Sequence, residues 1–580
     1  MKADVLPNPV IPGGRMAIAR RRLLRFVFPA VLLLLLGFTV LYPMGMIILA
    51  SALDTPPRPG APLGRFTLDN FASLATPENL RAAKNSLIFS VFGSLLALVI
   101  GGAMAWLVAR TDVPLKRTVA FAGVAPLFLS SLVGALAYTL IASPQSGYIN
   151  LLFRDLGVDF RFDIYSGAGI IYVFGLFYAP YAFLFLMSAL QLMNPEFEEA
   201  AEAHGATRFD VVRTVTFPLV QPALLGAGIL ILVLTLENFP VPQVLGTPIG
   251  TETIPSMIFR KMMTSPPRPT EAAATGILLL VIMIALVYVQ SRILRNRAFH
   301  TVAGKGFKPK LMPLGAWRWP ACIACMLYLF LAVLLPVFAL LQSSFRAQGF
   351  IPNFLALFDV SAFSLRNISA TLEYRPFQTA FANSLKLGVA TAIVGTVFHF
   401  VLSYYVNRTK LPWRGAIEYI AMLPVGIPSL IIGMGFLWAW IGLPIPIYGT
   451  LTIFVLAYTA RFMPQGYRAI SATITQVHKD LEDSAVVAGA GRVRAAWDIL
   501  TPLIRPGVAS AAFLLFLLSM RELSTSVFLF TAETRVLAII LYEQWETGSW
   551  SRVATISLLY SALLFVITII GQRWIGLKNL

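Results

Sequence analysis

Apolar runs of about twenty residues recur from one end of the chain to the other, separated by short polar stretches. Each is long enough to cross about 30 Å of hydrocarbon as a helix. Between Leu23 and Leu53 the only charge is Arg25. Further runs lie near 84–109, 118–142, 168–191, 222–246, 272–292, 319–342, 382–406, 416–442, 449–470, 507–530 and 553–575. The pattern predicts an all-α polytopic membrane protein with twelve spans, and an even count puts both ends of the chain on one side. The first apolar run is too long for a cleaved signal peptide and has no small-residue cleavage site, so it is expected to stay as the first span.

Composition agrees with that pattern. Hydrophobic residues make up 57% of the chain and charged residues 12%, with mean hydropathy +0.76, which excludes a soluble fold. A net charge of +18 would suggest nucleic acid in a soluble protein. Here the Lys and Arg residues divide as 27 in the loops on the N-terminal side against 13 in the opposite loops, the asymmetry that marks a cytoplasmic face. The leader (Lys2, Arg15, Arg20, Arg21, Arg22, Arg25) and the linker 292–318, with seven basic and no acidic residues, carry 13 of the 27. Both termini are therefore expected in the cytoplasm, the basic loops against anionic lipid, with no nucleic-acid partner. Cys322 and Cys325 are the only cysteines. They exclude a disulfide framework, and their C-x-x-C spacing at the start of an apolar span reads as packing.

The chain repeats itself. Asn85-Ser86-Leu87, Arg110-Thr111, Pro114 and Pro126 recur 298 residues later at Asn383-Ser384-Leu385, Arg408-Thr409, Pro412 and Pro424. Beyond a longer outer loop in the first copy the offset becomes 284, pairing Pro180 with Pro464, Gly205 with Gly489, Pro218 with Pro502 and Pro222 with Pro506. The expected organisation is two transmembrane halves, 1–300 and 301–580. Six spans in each make the repeats parallel, related by an axis along the membrane normal, with a pathway between them as in a transporter.

One inner loop is long in both halves, at 192–221 and 475–506. The first reads Glu198-Glu199-Ala200-Ala201-Glu202-Ala203-His204-Gly205, with Pro218 thirteen residues past the glycine; the second reads Glu482-Asp483-Ser484-Ala485, Gly489 and Pro502. An acidic first turn followed by alanines predicts a helix that the glycine ends. A second short helix, from about Arg208, is expected to end at Pro218 and Pro222. An amphipathic helix lying in the headgroups is the bland alternative, weakened by the two matched copies.

These residues resemble the EAA loop of permease subunits of ATP-binding-cassette importers, and the fused double permease is similar to the ferric-iron type, whose relatives include thiamine permeases. Arg521-Glu522-Leu523 and Leu423-Pro424-Val425-Gly426-Ile427-Pro428 add to that likeness. The first loop matches at Glu199, Ala200, Ala201, Gly205 and Pro218. The second departs at Asp483 and Ser484 and fits at Ala485, Gly489 and Pro502. The resemblance implies a MetI-like importer permease fold and a coupling helix in each half that docks on one of two ATPase copies. It further implies a periplasmic binding protein that delivers substrate, and a place in a bacterial inner membrane. Ferric iron is the preferred cargo, with thiamine, phosphonate and polyamine as alternatives.

Ionisable residues inside spans mark pathways by default. Glu237 lies fifteen residues beyond Pro222, roughly 22 Å along a helix, and Arg521 holds the duplicated place beyond Pro506, followed by Glu522. Glu237, Arg521 and Glu522 are expected to line or gate the outer pathway, or to pair and hold the halves together; Arg461 is a further candidate. Pro240, Pro242 and Pro248 are expected to make the outer part of that span non-helical. His399, alone on an apolar span, reads as a packed, hydrogen-bonded histidine. No metal-ligand cluster appears in the spans, so a ferric ion would be recognised by the separate binding protein.

The sequence has no G-x-x-x-x-G-K-[ST], Gly304-Lys305-Gly306 lacking its spacing, and no H-E-x-x-H or G-x-S-x-G. The chain is therefore expected to be a non-enzymatic transport subunit that binds no cofactor, with ATP used by the partner. An ion-coupled secondary transporter of two parallel six-span halves is the rival of another class, and a membrane-embedded enzyme the third reading.

Overall fold

The computed structural model describes residues 26–57, 62–194, 196–295, 311–346 and 351–575. The basic leader, most of the basic linker and Gly304-Lys305-Gly306 lie outside these residues. Among the described residues there are no strands, only isolated bridges. Nine helices among the described residues have the length and composition to cross a membrane: α1 (Phe26–Ser51), α2 (Pro77–Arg110), α3 (Gly167–Leu192), α4 (Phe209–Leu236), α5 (Pro269–Ile293), α6 (Gly315–Phe345), α7 (Arg375–Arg408), α8 (Arg492–Met520) and α9 (Trp550–Gly571).

The third and ninth predicted spans are not straight rods. The third is the pair Lys116–Phe128 and Ser131–Ala142, bent by 95°, and the ninth breaks between Gly426 and Ser429. Counting each pair as one span gives eleven. The tenth predicted span appears as two shorter helices, Leu451–Arg461 and Met463–Gln476.

Two expectations about proline are corrected. Pro218 and Pro222 do not end a helix: the short helix from Arg208 runs through a π-turn, Val212–Thr216, directly into Phe217–Leu236, the long part of α4. The second half does the same through Ala496–Leu500 into α8. A π-turn inserts one extra residue per turn, which relieves the clash a helical proline makes with the carbonyl four residues back. The segment after Glu237 is likewise not irregular. The chain breaks over Glu237–Phe239 and resumes as the helix Pro240–Gly246, with proline at its first position, where no backbone donor is needed.

The described chain divides into two compact units. One takes the described part of Met1–Gly45 with Leu387–Val425 and Thr452–Ser519; the other takes Met46–Lys386, Gly426–Leu451 and Met520–Leu580. In the first, the start of α1 packs on α7 and the loop after it, with Phe28 against Tyr405 and Phe26 against Trp413. His399 is fully buried there, its Nε2 3.2 Å from the Thr459 carbonyl. In the second, α6 lies against first-repeat helices: the Tyr328 hydroxyl donates to the Leu176 carbonyl and the Tyr138 hydroxyl to that of Leu331. Cys322 and Cys325 are buried in that contact, as packing residues.

The α2–α3 contact depends on small residues, the usual device where no hydrophobic force separates helix from lipid. A Cβ on Gly101 would stand 2.2 Å from the Ala179 carbonyl oxygen. Gly101→Leu should therefore lower the thermal midpoint of the detergent-extracted protein, overpacking costing about 1–3 kcal/mol. Gly37→Leu, with nothing within 4 Å, should leave it unchanged; size exclusion after stepwise heating reads both.

Candidate functional site

The long inner loops fold alike. In the first half the helix Glu196–Ala203 starts where the Asn194 side chain accepts from the Glu196 amide at 3.0 Å. It ends at Gly205, φ +86°, with the Gly205 amide on the Glu202 carbonyl and the Ala206 amide on that of Ala201. In the second half Asp480–Val487 ends at Gly489, φ +96°, with the equivalent pair of bonds from Gly489 and Ala490. Nothing lies within 4 Å of a Cβ placed on either glycine, so the backbone conformation alone demands glycine.

The motif acids face outward: Glu199 and Asp483 are exposed, with Ala200 and Ser484 beside them and Ala201 and Ala485 half-buried. Large apolar side chains stand out at equivalent places, Phe209 72% and Val493 85% exposed, with Phe197 and Leu481 as another pair. Pro218 and Pro502 lie at the second residue of the helices that follow the two π-turns, Phe217–Leu236 and Thr501–Met520, and are exposed there.

The acids that turn inward are one place earlier, and the sequence reading did not single them out. Arg110, 3% exposed at the end of α2, bonds through one terminal nitrogen to the Leu190 (2.8 Å) and Met193 (3.2 Å) carbonyls at the end of α3. Its other terminal nitrogen ion-pairs with Glu198 at 3.4 Å. In the second half Arg408, at the end of α7, bonds to the Ile474 (2.7 Å) and Val477 (2.6 Å) carbonyls and ion-pairs with Glu482 at 3.0 Å. The duplicated Arg-Thr was the available signal. A repeated arginine at a span's inner end, without an acid beside it in sequence, needs one from elsewhere.

Around the first pair lies a cavity of about 410 Å³ lined by Arg110, Glu198, Glu199, Glu202, Thr216 and Met312. Met312 belongs to the linker joining the repeats, and its amide donates to the Arg110 carbonyl at 2.8 Å.

Glu237 and Arg521 each touch a backbone group. Glu237 is 7% exposed and accepts from the Ser429 amide at 3.3 Å, at the start of the helix Ser429–Ile441 in the other repeat. Arg521 donates to the Leu129 carbonyl at 3.4 Å, at the break in the third span. Glu522 accepts from the Thr525 amide at 2.8 Å, as Asn238 accepts from that of Val241 at the equivalent place. Arg461, 7% exposed in the other unit, donates to the Pro424 carbonyl at 3.4 Å. No group of three or more His, Cys, Asp or Glu residues suited to a metal occurs among the described residues.

A polytopic helical chain with two copies of one long loop, each anchored in the same way, is a double-repeat membrane permease. The chain belongs to the family of binding-protein-dependent transport system inner membrane components, matching its pattern over residues 98–300 and again over 399–577. The ferric transport system permease protein FbpB of Actinobacillus pleuropneumoniae is 25% identical over 563 residues, spanning 94% of this chain and 77% of its own. A putative ferric transport system permease protein FbpB 1 of Haemophilus influenzae is 25% identical over 534 residues, spanning 89% and 80%. Among solved structures, a bacterial ABC transporter involved in import of the acidic polysaccharide alginate aligns at TM-score 0.41 and 22% identity, over 49% of this chain and 99% of that one.

Because the glycines serve conformation and not space, their substitutions should rank by backbone preference. Left-handed geometry costs an ordinary residue about 1–2 kcal/mol, and asparagine tolerates it best. Gly205→Val and Gly489→Val should abolish uptake while leaving membrane insertion intact, and Gly205→Asn should keep most of it. Uptake into vesicles, normalised to inserted protein, checks the order.

Proposed function

We propose that this chain is the ferric-iron permease of an ATP-driven importer. In this reading residues 1–300 and 301–580 form its two halves, and both termini lie in the cytoplasm. The observation that supports iron most directly is the alignment of ferric transport permeases over nearly the full chain. A binding protein delivers the cargo from outside, so the spans need no ligand cluster of their own. The paired outward-facing acids and exposed apolar side chains of 192–221 and 475–506 support one ATPase copy on each. Glu199, Ala200, Ala201, Gly205 and Pro218 then form one coupling face, and Asp483, Ser484, Ala485, Gly489 and Pro502 the other. Apolar contact supplies the affinity, and the acids meet basic groups of the partner. ATP is used by those partners, whose closure draws the coupling helices together and alternates access between the halves.

Glu237, Arg521, Glu522 and Arg461 act in this reading at the breaks of the spans. They hold or release the interrupted helices as access alternates. Membership of the binding-protein-dependent family removes the ground for the ion-coupled rival.

The test of the cargo is ATP hydrolysis in proteoliposomes holding this chain and its co-purified ATPase. Ferric-loaded binding protein should stimulate hydrolysis; stimulation by thiamine-, phosphonate- or polyamine-loaded protein instead would reassign the substrate. Glu237→Arg and Arg521→Glu should each lower uptake with the ATPase still attached, and unchanged uptake in both would reduce these residues to structural supports. Each places a charge against a backbone group of the wrong polarity, and losing a charge-assisted bond of about 1.5–3 kcal/mol corresponds to about ten- to a hundredfold.

A further inference from the structure

We infer that Arg110 and Arg408 are positioning residues that make each coupling helix move as one body with the membrane-spanning helices, with Glu198 and Glu482 as the receiving ends. This rests on the coupling-loop reading above. It separates the acids of each loop into two duties: Glu199 and Asp483 face the partner, while Glu198 and Glu482 face the chain itself.

The electrostatics run in sequence through each clamp. Helix carbonyl ends carry partial negative charge and helix amino ends partial positive charge. The arginine sits on the carbonyl end of the preceding segment, at Leu190 and Met193 or at Ile474 and Val477. Its acid partner sits in the first turn of the coupling helix, at Glu198 or Glu482. Negative end, guanidinium, carboxylate and positive end therefore follow one another. Only a forked guanidinium supplies donors in those separate directions at once. α3 ends at Leu192 and the coupling helix begins at Glu196, so the clamp bridges a short connection.

The two clamps differ in where the carboxylate's second bond goes. Glu198 accepts from the Thr216 hydroxyl at 2.6 Å, on the π-turn that leads into α4. Glu482 accepts from the Tyr404 hydroxyl at 3.2 Å, on α7 itself. At the place equivalent to Thr216 stands Leu500, fully buried, which has no hydroxyl to offer. A displacement of the first coupling helix is thus passed to α2, α3 and α4, while this bond in the second half stays on the helix that carries the arginine. The linker amide of Met312 rests on the Arg110 carbonyl, so the first clamp also meets the connection between repeats.

The test uses the assembled transporter in proteoliposomes. Glu198→Gln, Glu482→Gln, Arg110→Lys and Arg408→Lys are compared with Glu199→Gln, and each is scored for ATPase co-purification, hydrolysis stimulated by loaded binding protein, and uptake per ATP. The clamp variants should retain the ATPase, yet uptake per ATP should fall about tenfold or more, as expected when a charge-assisted bond leaves the coupling step. Glu199→Gln should instead weaken attachment. Thr216→Val, nearly isosteric and remote from the partner face, should lower uptake per ATP without changing attachment, whereas Leu500→Val should not. Clamp variants with wild-type uptake per ATP, or ones that lose the ATPase as Glu199→Gln does, would overturn the assignment. A wild-type chain that retains no ATPase would refute the coupling-loop reading and the clamp with it, so the two failures are distinguishable.

Discussion

A helix that stops away from water leaves amides and carbonyls unsatisfied, at several kcal/mol each, and this chain interrupts apolar helices in both repeats. The breaks are answered differently. At the first, the Ser130 side chain accepts from the Val133 amide at 3.2 Å and caps the helix Ser131–Ala142 by itself. At the equivalent place in the second repeat stands Pro428, with no side chain able to cap. The Ser429 amide is met by Glu237 of the other repeat. A carboxylate at a helix amino end is doubly favoured, by the bond and by the dipole. This offsets much of the desolvation of a buried acid.

The same accounting explains the inner ends of the spans. Arg110 and Arg408 terminate α2 and α7 while satisfying carbonyls at the end of neighbouring segments. Removing one partner of a buried pair costs about 3–5 kcal/mol, because the survivor is left charged in a poor solvent. Both ends of the helices Glu196–Ala203 and Asp480–Val487 are therefore determined: a buried ion pair at the start, and at the end a glycine in a conformation other residues resist.

Much of this was legible in the sequence, and what was not has a common cause. Hydropathy marks apolar segments without regard to direction, so it located the twelve runs but could not show that 118–142 turns through 95°. The Leu129-Ser130 break contains neither proline nor glycine. The proline rule failed at Pro218 because a π-turn, invisible to composition, absorbed the clash, and Pro222 lies inside the helix that follows. The matched fold of the two long loops was readable from Gly205, Gly489 and the acids around them. Which acid faces outward was not, since Glu198 and Glu199 are adjacent and equal in chemistry; only the arginine reaching from α2 distinguishes them.

At the duplicated position, the opposite charges of Glu237 and Arg521 each touch a backbone group of the matching polarity. Glu237 meets a backbone donor, the Ser429 amide, and Arg521 meets a backbone acceptor, the Leu129 carbonyl. In a symmetric pair of identical subunits, both copies would present the same residue to the same backbone group, and one polarity would have to serve both breaks. Two repeats in one chain are free of that restriction. Pro428 replaces the capping serine in one repeat only, and the acid that compensates for it is placed in the other. The divergence of the halves is thus written in matched pairs, each change of side chain at position 237 or 521 set against the backbone group it has to satisfy.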